Sequence, residues 1–142
     1  MLTRALLPLL IASNLVALCA CGSKLSDFPC GNTVTSTLAS PSSVHTAVVF
    51  DRSCGAMTSR AGTGVSILEG RDTTLSTPQE GNVYLNDNQS PSQAPGAPRP
   101  STAVRIEWKG DTVLLVHQHP TAHIVFAAIR FAGVTIQYDT VP

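Results

Sequence analysis

Short runs of alternating apolar and polar residues recur along the chain from about residue 44 onward. Because successive side chains of a strand point to opposite faces, this period of two is typical of half-buried β-strands. Small polar residues, glycine and proline separate the runs, and no heptad repeat or long amphipathic helix interrupts them. We therefore predict a mainly β domain, a small antiparallel sheet or sandwich, with strands near 44–50, 64–68, 82–86, 103–108, 112–117 and 133–139.

The clearest local pattern is a hairpin in the second half of the chain. Val104, Ile106 and Trp108 alternate with charged residues, the segment 109–111 contains a glycine, and 112–116 is again rich in apolar residues. Two β-rich runs joined by a short Gly-containing turn predict two antiparallel neighbours.

Alternation also predicts which side chains face the core, and a one-residue error in register would expose the whole set. The segment 123–131 is more ambiguous, since its apolar run fits either a strand or one or two helical turns. Its strand-like flanks favour a strand. The predicted inward-facing residues are Val48, Phe50, Val65, Ile67, Val104, Ile106, Val134 and Ile136.

Two segments have the composition of loops. Residues 21–43 begin with Cys21 and continue with many Ser, Thr, Gly and Asn residues, so we interpret them as a tether ahead of a single β domain at 44–142. Residues 88–102 contain four prolines and no large apolar residue, which predicts an exposed loop between strands.

The N-terminus has the pattern of an export signal. Arg4 is the only charge in residues 1–20, and the segment 5–20 is almost wholly apolar. A retained transmembrane helix is the weaker interpretation, because Pro8, Ser13 and Asn14 interrupt the run and it has the length of a signal.

The end of this run resembles the bacterial lipobox, whose pattern is an aliphatic residue, a variable residue, a small residue and then cysteine. Leu18 and Ala20 precede Cys21 in this pattern, which predicts that residues 1–20 are removed and that Cys21 carries lipid. Cys19 is a competing candidate, although Leu18 would then occupy the position of the small residue. Cleavage near Ala20 without lipidation is the plainer alternative.

Lipidation at Cys21 predicts a protein anchored to the bilayer of the cell envelope. More than one acyl chain is needed for stable anchoring, and mature bacterial lipoproteins usually have two or three. No aspartate stands at Gly22, the position after the lipidated cysteine. The resemblance to enterobacterial lipoproteins therefore favours the outer membrane, on its periplasmic side.

After processing, Cys30 and Cys54 are the two cysteines that remain. In an oxidising compartment they most simply form a disulfide, which on the chain-entropy model stabilises the fold by roughly 3–4 kcal/mol. A reactive or metal-binding thiol pair is the alternative, but the two are not in a Cys-x-x-Cys arrangement.

The segment from Ser40 to Tyr138 resembles a family of small uncharacterised bacterial proteins, many of them exported or lipidated. The resemblance rests on an Ala-Val-Val-Phe strand at 47–50, an Arg-x-Cys-Gly-Ala-x-Thr turn at 52–58, Val-Ser-Ile-Leu at 65–68 and Gly-Asn-Val at 81–83. Met57 and the proline-rich insertion depart from the pattern. The resemblance implies a β fold and no particular activity.

Charge argues against nucleic acid as a partner. The chain has nine Lys or Arg and nine Asp or Glu, and loss of Arg4 leaves eight basic residues scattered singly. Nucleic-acid binders carry a basic face, which is missing here. No serine occupies a Gly-x-Ser-x-Gly elbow and no carboxylates are paired, so we expect neither an enzyme nor a cofactor.

Three histidines are the main candidate chemistry. His117 and His119 are two residues apart and share a face if they lie on a strand, and His123, with His45 as a further ligand, is a candidate to complete a zinc or copper site. The alternative is the polar end of a strand entering a turn at Pro120.

The expected function is a non-enzymatic interaction module of the envelope, binding a protein or a cell-wall partner. The alternative is a periplasmic protein that binds a metal or small ligand through His117, His119 and His123. A hydrolase inhibitor is a variant of the first, since Trp108 and residues 109–111 faintly resemble lipoprotein lysozyme inhibitors, although their Ser-Gly-x-Arg-Tyr stretch is missing.

Overall fold

The computed structural model describes residues 30–54, 60–75, 81–88 and 101–141. These residues form an all-β structure in two sheets, which confirms the predicted fold class. The predicted signal segment 1–20, Cys21 and most of the proline-rich segment 88–102 lie outside the described residues. Within those same ranges, no helix has the length and apolar character needed to cross a bilayer.

The larger sheet has five strands, all paired antiparallel, and the smaller sheet has four. The strand order in the larger sheet is β1-β2-β3-β4-β7, with bounds Cys30–Ala39, His45–Cys54, Arg60–Glu69, Tyr84–Asp87 and His123–Ala127. The order in the smaller sheet is β5-β6-β9-β8, with bounds Val104–Trp108, Val113–Gln118, Val134–Thr140 and Arg130–Phe131.

All six predicted strands are present, as β2, β3, β4, β5, β6 and β9. The ambiguous segment 123–131 is also extended, forming β7 and β8. The predicted hairpin is confirmed: β5 pairs with β6, and Gly110 adopts a φ of +70° in the turn between them. A second tight turn joins β8 to β9, where Ala132 and Gly133 both have positive φ, as in a type I′ hairpin.

One expectation about the strands was wrong. Residues 30–39 were interpreted as part of a tether, yet they form β1, which pairs along β2 from Cys30 to Ala39. The strand lies at an edge with mostly exposed side chains, so it has no apolar alternation to reveal it. The domain is mostly antiparallel, as expected, and β6 and β9 form its one parallel pair among the described strands. Their connection includes β7, which joins the other sheet.

The core lies between the two sheets. It contains Val65, Ile67, Ile106, Val134 and Ile136, as predicted, and Val104 packs against it while partly buried. It also contains six buried residues that were not predicted: Ala47, Val49, Val83, Tyr84, Leu114 and Val116.

For β2 the predicted inward face was wrong. Val49 lies opposite Val65 in the register, so Val49 and Ala47 point to the core, whereas Val48 and Phe50 occupy the opposite face of the sheet. Val48 and Phe50 are nonetheless fully buried.

Phe50 is accommodated by a glycine on the neighbouring strand. Gly64 lies directly opposite it, and a Cβ added at Gly64 would lie 2.3 Å from the ring atom Cζ of Phe50. The ring therefore occupies the space that any other residue at 64 would need. This contact explains why a glycine interrupts an otherwise β-rich strand.

The Gly-Asn-Val segment directly precedes β4 and lies beside Ser66 and Ile67 of β3. A Cβ added at Gly81 would lie 2.0 Å from the carbonyl oxygen of Tyr84, so only glycine fits there. The side-chain amide of Asn82 donates to the carbonyl oxygen of Ile67 at 2.9 Å, and its oxygen accepts from the Ile67 amide at 2.8 Å. Asn82 thus replaces main-chain pairing where β4 has not yet begun.

The predicted disulfide between Cys30 and Cys54 is confirmed. The two cysteines form the terminal pair of the β1–β2 register, with Cα atoms 4.1 Å apart. The bridge closes the open end of this hairpin.

Tyr138 on β9 links the smaller sheet to the residues just before β4 and just after β7 of the larger sheet. Its hydroxyl lies 2.9 Å from the carbonyl oxygen of Val83 and 2.7 Å from that of Ala128. The ring packs against Tyr84, with centroids 5.9 Å apart. Burial, with a smaller effect of the nearby Tyr84, raises the pKa of Tyr138 to about 12. The neutral phenol is therefore the form that the fold favours.

Candidate functional site

The outer face of the smaller sheet carries a row of charged and polar side chains. Arg105, His117 and Asp139 are in register across β5, β6 and β9. Because Ile106 and Val116 face the core, strand alternation places this row on the opposite surface. The row thus combines a guanidinium, an imidazole and a carboxylate on three neighbouring strands.

His117 is the most buried member of this row, with a side chain only 13% exposed. Its Nε2 lies 3.6 Å from a carboxylate oxygen of Glu107, and its Nδ1 lies 3.7 Å from one of Asp139. Those distances are too long for hydrogen bonds, and Nδ1 has no hydrogen-bond partner within the described part of the chain. The ring therefore lies between two carboxylates, with its Nδ1 buried and without a hydrogen-bond partner among the described residues.

Glu107 is already engaged by a lysine. Lys109 Nζ lies 2.8 Å from a carboxylate oxygen of Glu107, and this hydrogen bond is the main reason that the pKa of Glu107 is lowered. Both side chains are about half exposed, so the pair is a surface contact of small energy. Lys109 thus places a positive charge next to the carboxylate that lies beside His117.

A cleft of about 240 Å³ opens beside this row. Small and apolar side chains make up much of its wall, together with Arg105 and two of the candidate histidines. The cleft is small compared with the roughly 300–1,000 Å³ of sites for drug-sized molecules. Its lining residues are Ala103, Val104, Arg105, His117, Gln118, His119 and Val141.

His119 lies just beyond β6, at the start of a turn. The Thr121 amide donates to its Nδ1 at 3.2 Å, and the Thr121 hydroxyl lies 2.8 Å from the same atom. A ring nitrogen that accepts from an amide carries no proton, so the neutral ring holds its proton on Nε2. His119 therefore presents a hydrogen-bond donor.

His123 does not join the other two histidines. It begins β7 in the larger sheet, where its Nδ1 lies 2.7 Å from a carboxylate oxygen of Asp87 on β4. His45 is also elsewhere, stacked on Trp108 with ring centroids 6.4 Å apart. Among the residues that the structure describes, no three His, Cys, Asp or Glu side chains are grouped to hold a metal ion.

The structure brings two of the three candidate histidines together, since His117 and His119 line one cleft. Arg105 lines the same cleft and was not singled out from the sequence. The signal was available, since Arg105 alternates with Val104 and Ile106 and must therefore lie on the outer face of its strand. Only the register with β6 places it beside His117.

A second surface of interest is the edge strand β7. Ile124, Val125 and Phe126 are 43%, 53% and 45% exposed, and the nearby Ile129 is 80% exposed. β7 lies at the end of the strand order in its sheet, paired on one side with β4. Val125 has no register partner on β4, which makes it the extra residue of a β-bulge.

Comparison with protein-family models, with curated proteins and with solved structures finds no match for this chain.

Proposed function

We propose that the protein is a lipid-anchored module of the bacterial envelope that binds another envelope protein and catalyses no reaction. The observation that carries the proposal is the exposed apolar strand β7. Three consecutive large apolar side chains, Ile124, Val125 and Phe126, face solvent at the edge of the larger sheet. Single exposed apolar residues are ordinary, but a contiguous group of them is typical of an interaction surface.

The chemistry of β7 indicates what kind of partner it fits. Residues 124–129 contain no charged side chain, and His123 at the start of the strand is engaged by Asp87. The bulge at Val125 interrupts regular pairing along the strand, and bulges protect edges from indiscriminate strand addition. The partner is therefore expected to offer an apolar groove to these side chains.

The anchor in this proposal is the lipid on Cys21. It rests on the signal-like segment 1–20 and the lipobox-like residues that end it. Cys30, shortly after Cys21, is covalently tied to Cys54 in β2, so the anchor would enter a firmly held part of the sheet. The outer membrane remains the favoured location, on the resemblance stated above.

Fatty-acid labelling of cells tests the anchor. Wild-type protein and a Cys19→Ser variant should incorporate a clickable fatty acid, whereas Cys21→Ser should not. Labelling that survives Cys21→Ser and is lost in Cys19→Ser would place the lipid on the other cysteine.

Site-specific photo-crosslinking in living cells tests the binding surface. A photoreactive phenylalanine analogue at Val125 should give an adduct, while the same analogue at the exposed Gln137 on β9 serves as the matched control. A Phe126→Lys substitution should abolish the Val125 adduct without changing the melting temperature. An adduct of equal yield at Gln137, or no adduct at Val125, would refute β7 as the contact surface.

A metal-binding role for His117, His119 and His123 is not proposed. His123 pairs with Asp87 in the other sheet, and the described residues contain no group of metal ligands. The cleft around His117 and His119 supports a different ligand.

A further inference from the structure

We infer that the cleft at the start of β5 and the end of β6 binds a small organic carboxylate through Arg105 and His119, with His117 in its wall. This site is separate from β7 and does not depend on the proposed function. It is built from residues on β5, β6 and the turn after β6, with Val141 near the chain end closing one side.

Arg105 provides the charge that selects an anion. It lines the cleft, and within the described ranges its guanidinium has neither an ion-pair nor a hydrogen-bond partner. Arginine binds carboxylates through two parallel N–H donors, and such charge-assisted bonds are about twice as strong as neutral ones. An unpaired arginine in the wall of a cleft is therefore available for a ligand.

His119 adds a donor beside the arginine. His119 has its neutral-ring proton on Nε2, because Nδ1 accepts from the Thr121 amide. His117 lies opposite Arg105 in the register and lines the cleft, but its Nδ1 is buried on the side of Asp139 and does not reach the ligand. His119 therefore offers the polar contact to the second oxygen of a carboxylate.

Two carboxylates stand near His117, but neither blocks the site. Glu107 is paired with Lys109 at 2.8 Å. Asp139 lies on β9 and Arg105 lies on β5, with His117 between them. The Asp139 carboxylate is therefore on the far side of His117 from the guanidinium. Anion binding here depends on direct contact with Arg105, since the surrounding charges nearly cancel.

The rest of the lining selects an apolar tail on the ligand. Ala103 and Val141 contribute hydrocarbon to the wall, and the volume of about 240 Å³ suits a small ligand. Burial of a methylene group contributes about 0.8 kcal/mol, which is roughly a fourfold gain in affinity. A short aliphatic carboxylate therefore fits the cleft, with its charged group at Arg105 and its hydrocarbon against the apolar wall.

The test is titration of the full chain, in micelles of a non-ionic detergent, with propionate and with propionamide. The two probes have the same shape, but only propionate is charged. Ring signals of His117 and His119, followed by nuclear magnetic resonance on histidine-labelled protein, should shift with propionate and remain in place with propionamide. Acetate should bind about fourfold more weakly than propionate.

Two arginine variants make the test specific. Arg105→Gln should weaken propionate binding about tenfold or more, as expected for loss of a charge-assisted contact. Arg71→Gln, which removes an exposed arginine from the turn after β3, should leave binding unchanged. Equal shifts with propionamide, or unchanged binding in Arg105→Gln, would overturn the proposal. Inorganic phosphate binding as tightly as propionate would also overturn it, because the apolar wall would then contribute nothing.

Discussion

Replacement of Tyr138 by phenylalanine isolates the hydrogen bonds that connect the two sheets. The ring and its packing against Tyr84 are retained, and only the hydroxyl is lost. Val83 keeps a partner, because its carbonyl oxygen also accepts from the Ala128 amide at 2.8 Å. The carbonyl oxygen of Ala128 loses the hydrogen bond that the Tyr138 hydroxyl donates to it at 2.7 Å.

The expected loss of stability follows from these contacts. A net hydrogen bond contributes about 1 kcal/mol, and a buried group left without a partner costs about 1–3 kcal/mol. Since Ala128 is only partly buried, water recovers some of this loss, and we expect Tyr138→Phe to lower the free energy of unfolding by about 1–2 kcal/mol. For a domain of this size that corresponds to a fall in melting temperature of roughly 4–8 °C.

The dependence on pH provides an independent check. The pKa of Tyr138 is raised by burial to about 12, whereas a tyrosine in the unfolded chain titrates near 10. Its contribution is therefore fully present below about pH 10 and is lost as the pH rises toward 12, because the unfolded state releases the proton first. The pKa of Tyr84 is also raised by burial, so Tyr138→Phe should remove part of this alkaline slope.

Urea unfolding followed by circular dichroism, at several values between about pH 8 and pH 11, measures both effects. Tyr84→Phe is the matched control, since it removes the other hydroxyl of the pair. A loss of less than about 0.5 kcal/mol at neutral pH would refute the role of the Tyr138 hydroxyl bonds. An alkaline slope that is the same in the variant and the wild type would refute the titration of Tyr138.

Three further substitutions test the fold. Gly64→Ala should destabilise the domain by about 1–3 kcal/mol, because its Cβ would overlap the ring of Phe50; a Phe50→Leu background that relieves the loss would identify that contact. Cys30→Ser should cost roughly 3 kcal/mol, and alkylation without reductant should modify neither Cys30 nor Cys54 in the wild type. Asn82→Ala should cost about 1–2 kcal/mol by removing two hydrogen bonds to the main chain, whereas an unchanged urea midpoint would show that water replaces them.

The sequence pattern predicts the strands of this protein best where one face of the strand is buried and the other is exposed to solvent. The β5–β6 hairpin is such a case, since Ile106 faces the core and Arg105 faces solvent. β2 is not, because residues 46–50 are buried on both faces. A continuous apolar run carries no alternation, so it cannot show that Val49 and not Phe50 faces the other sheet.

The remaining errors concern which strands pair, which local pattern does not determine. His123 follows His119 closely in sequence, yet β7 crosses to the larger sheet, where register brings it to Asp87. The same crossing leaves β9 to pair with β6 in parallel. The outward positions of Arg105 and His117 follow from the sequence, but only the pairing of β5 with β6 shows that the two residues line one cleft.

If the chain is held by lipid at Cys21, as proposed, the disulfide has a mechanical consequence. Tension from the bilayer would enter β1 at Cys30, the open end of the β1–β2 hairpin, where strands peel apart one hydrogen-bonded pair at a time. The covalent bond to Cys54 passes that load to β2, which has neighbours on both sides. The segment between Cys21 and Cys30 spans at most about 30 Å. Peeling of the edge strand would therefore be blocked for as long as the bond stays oxidised.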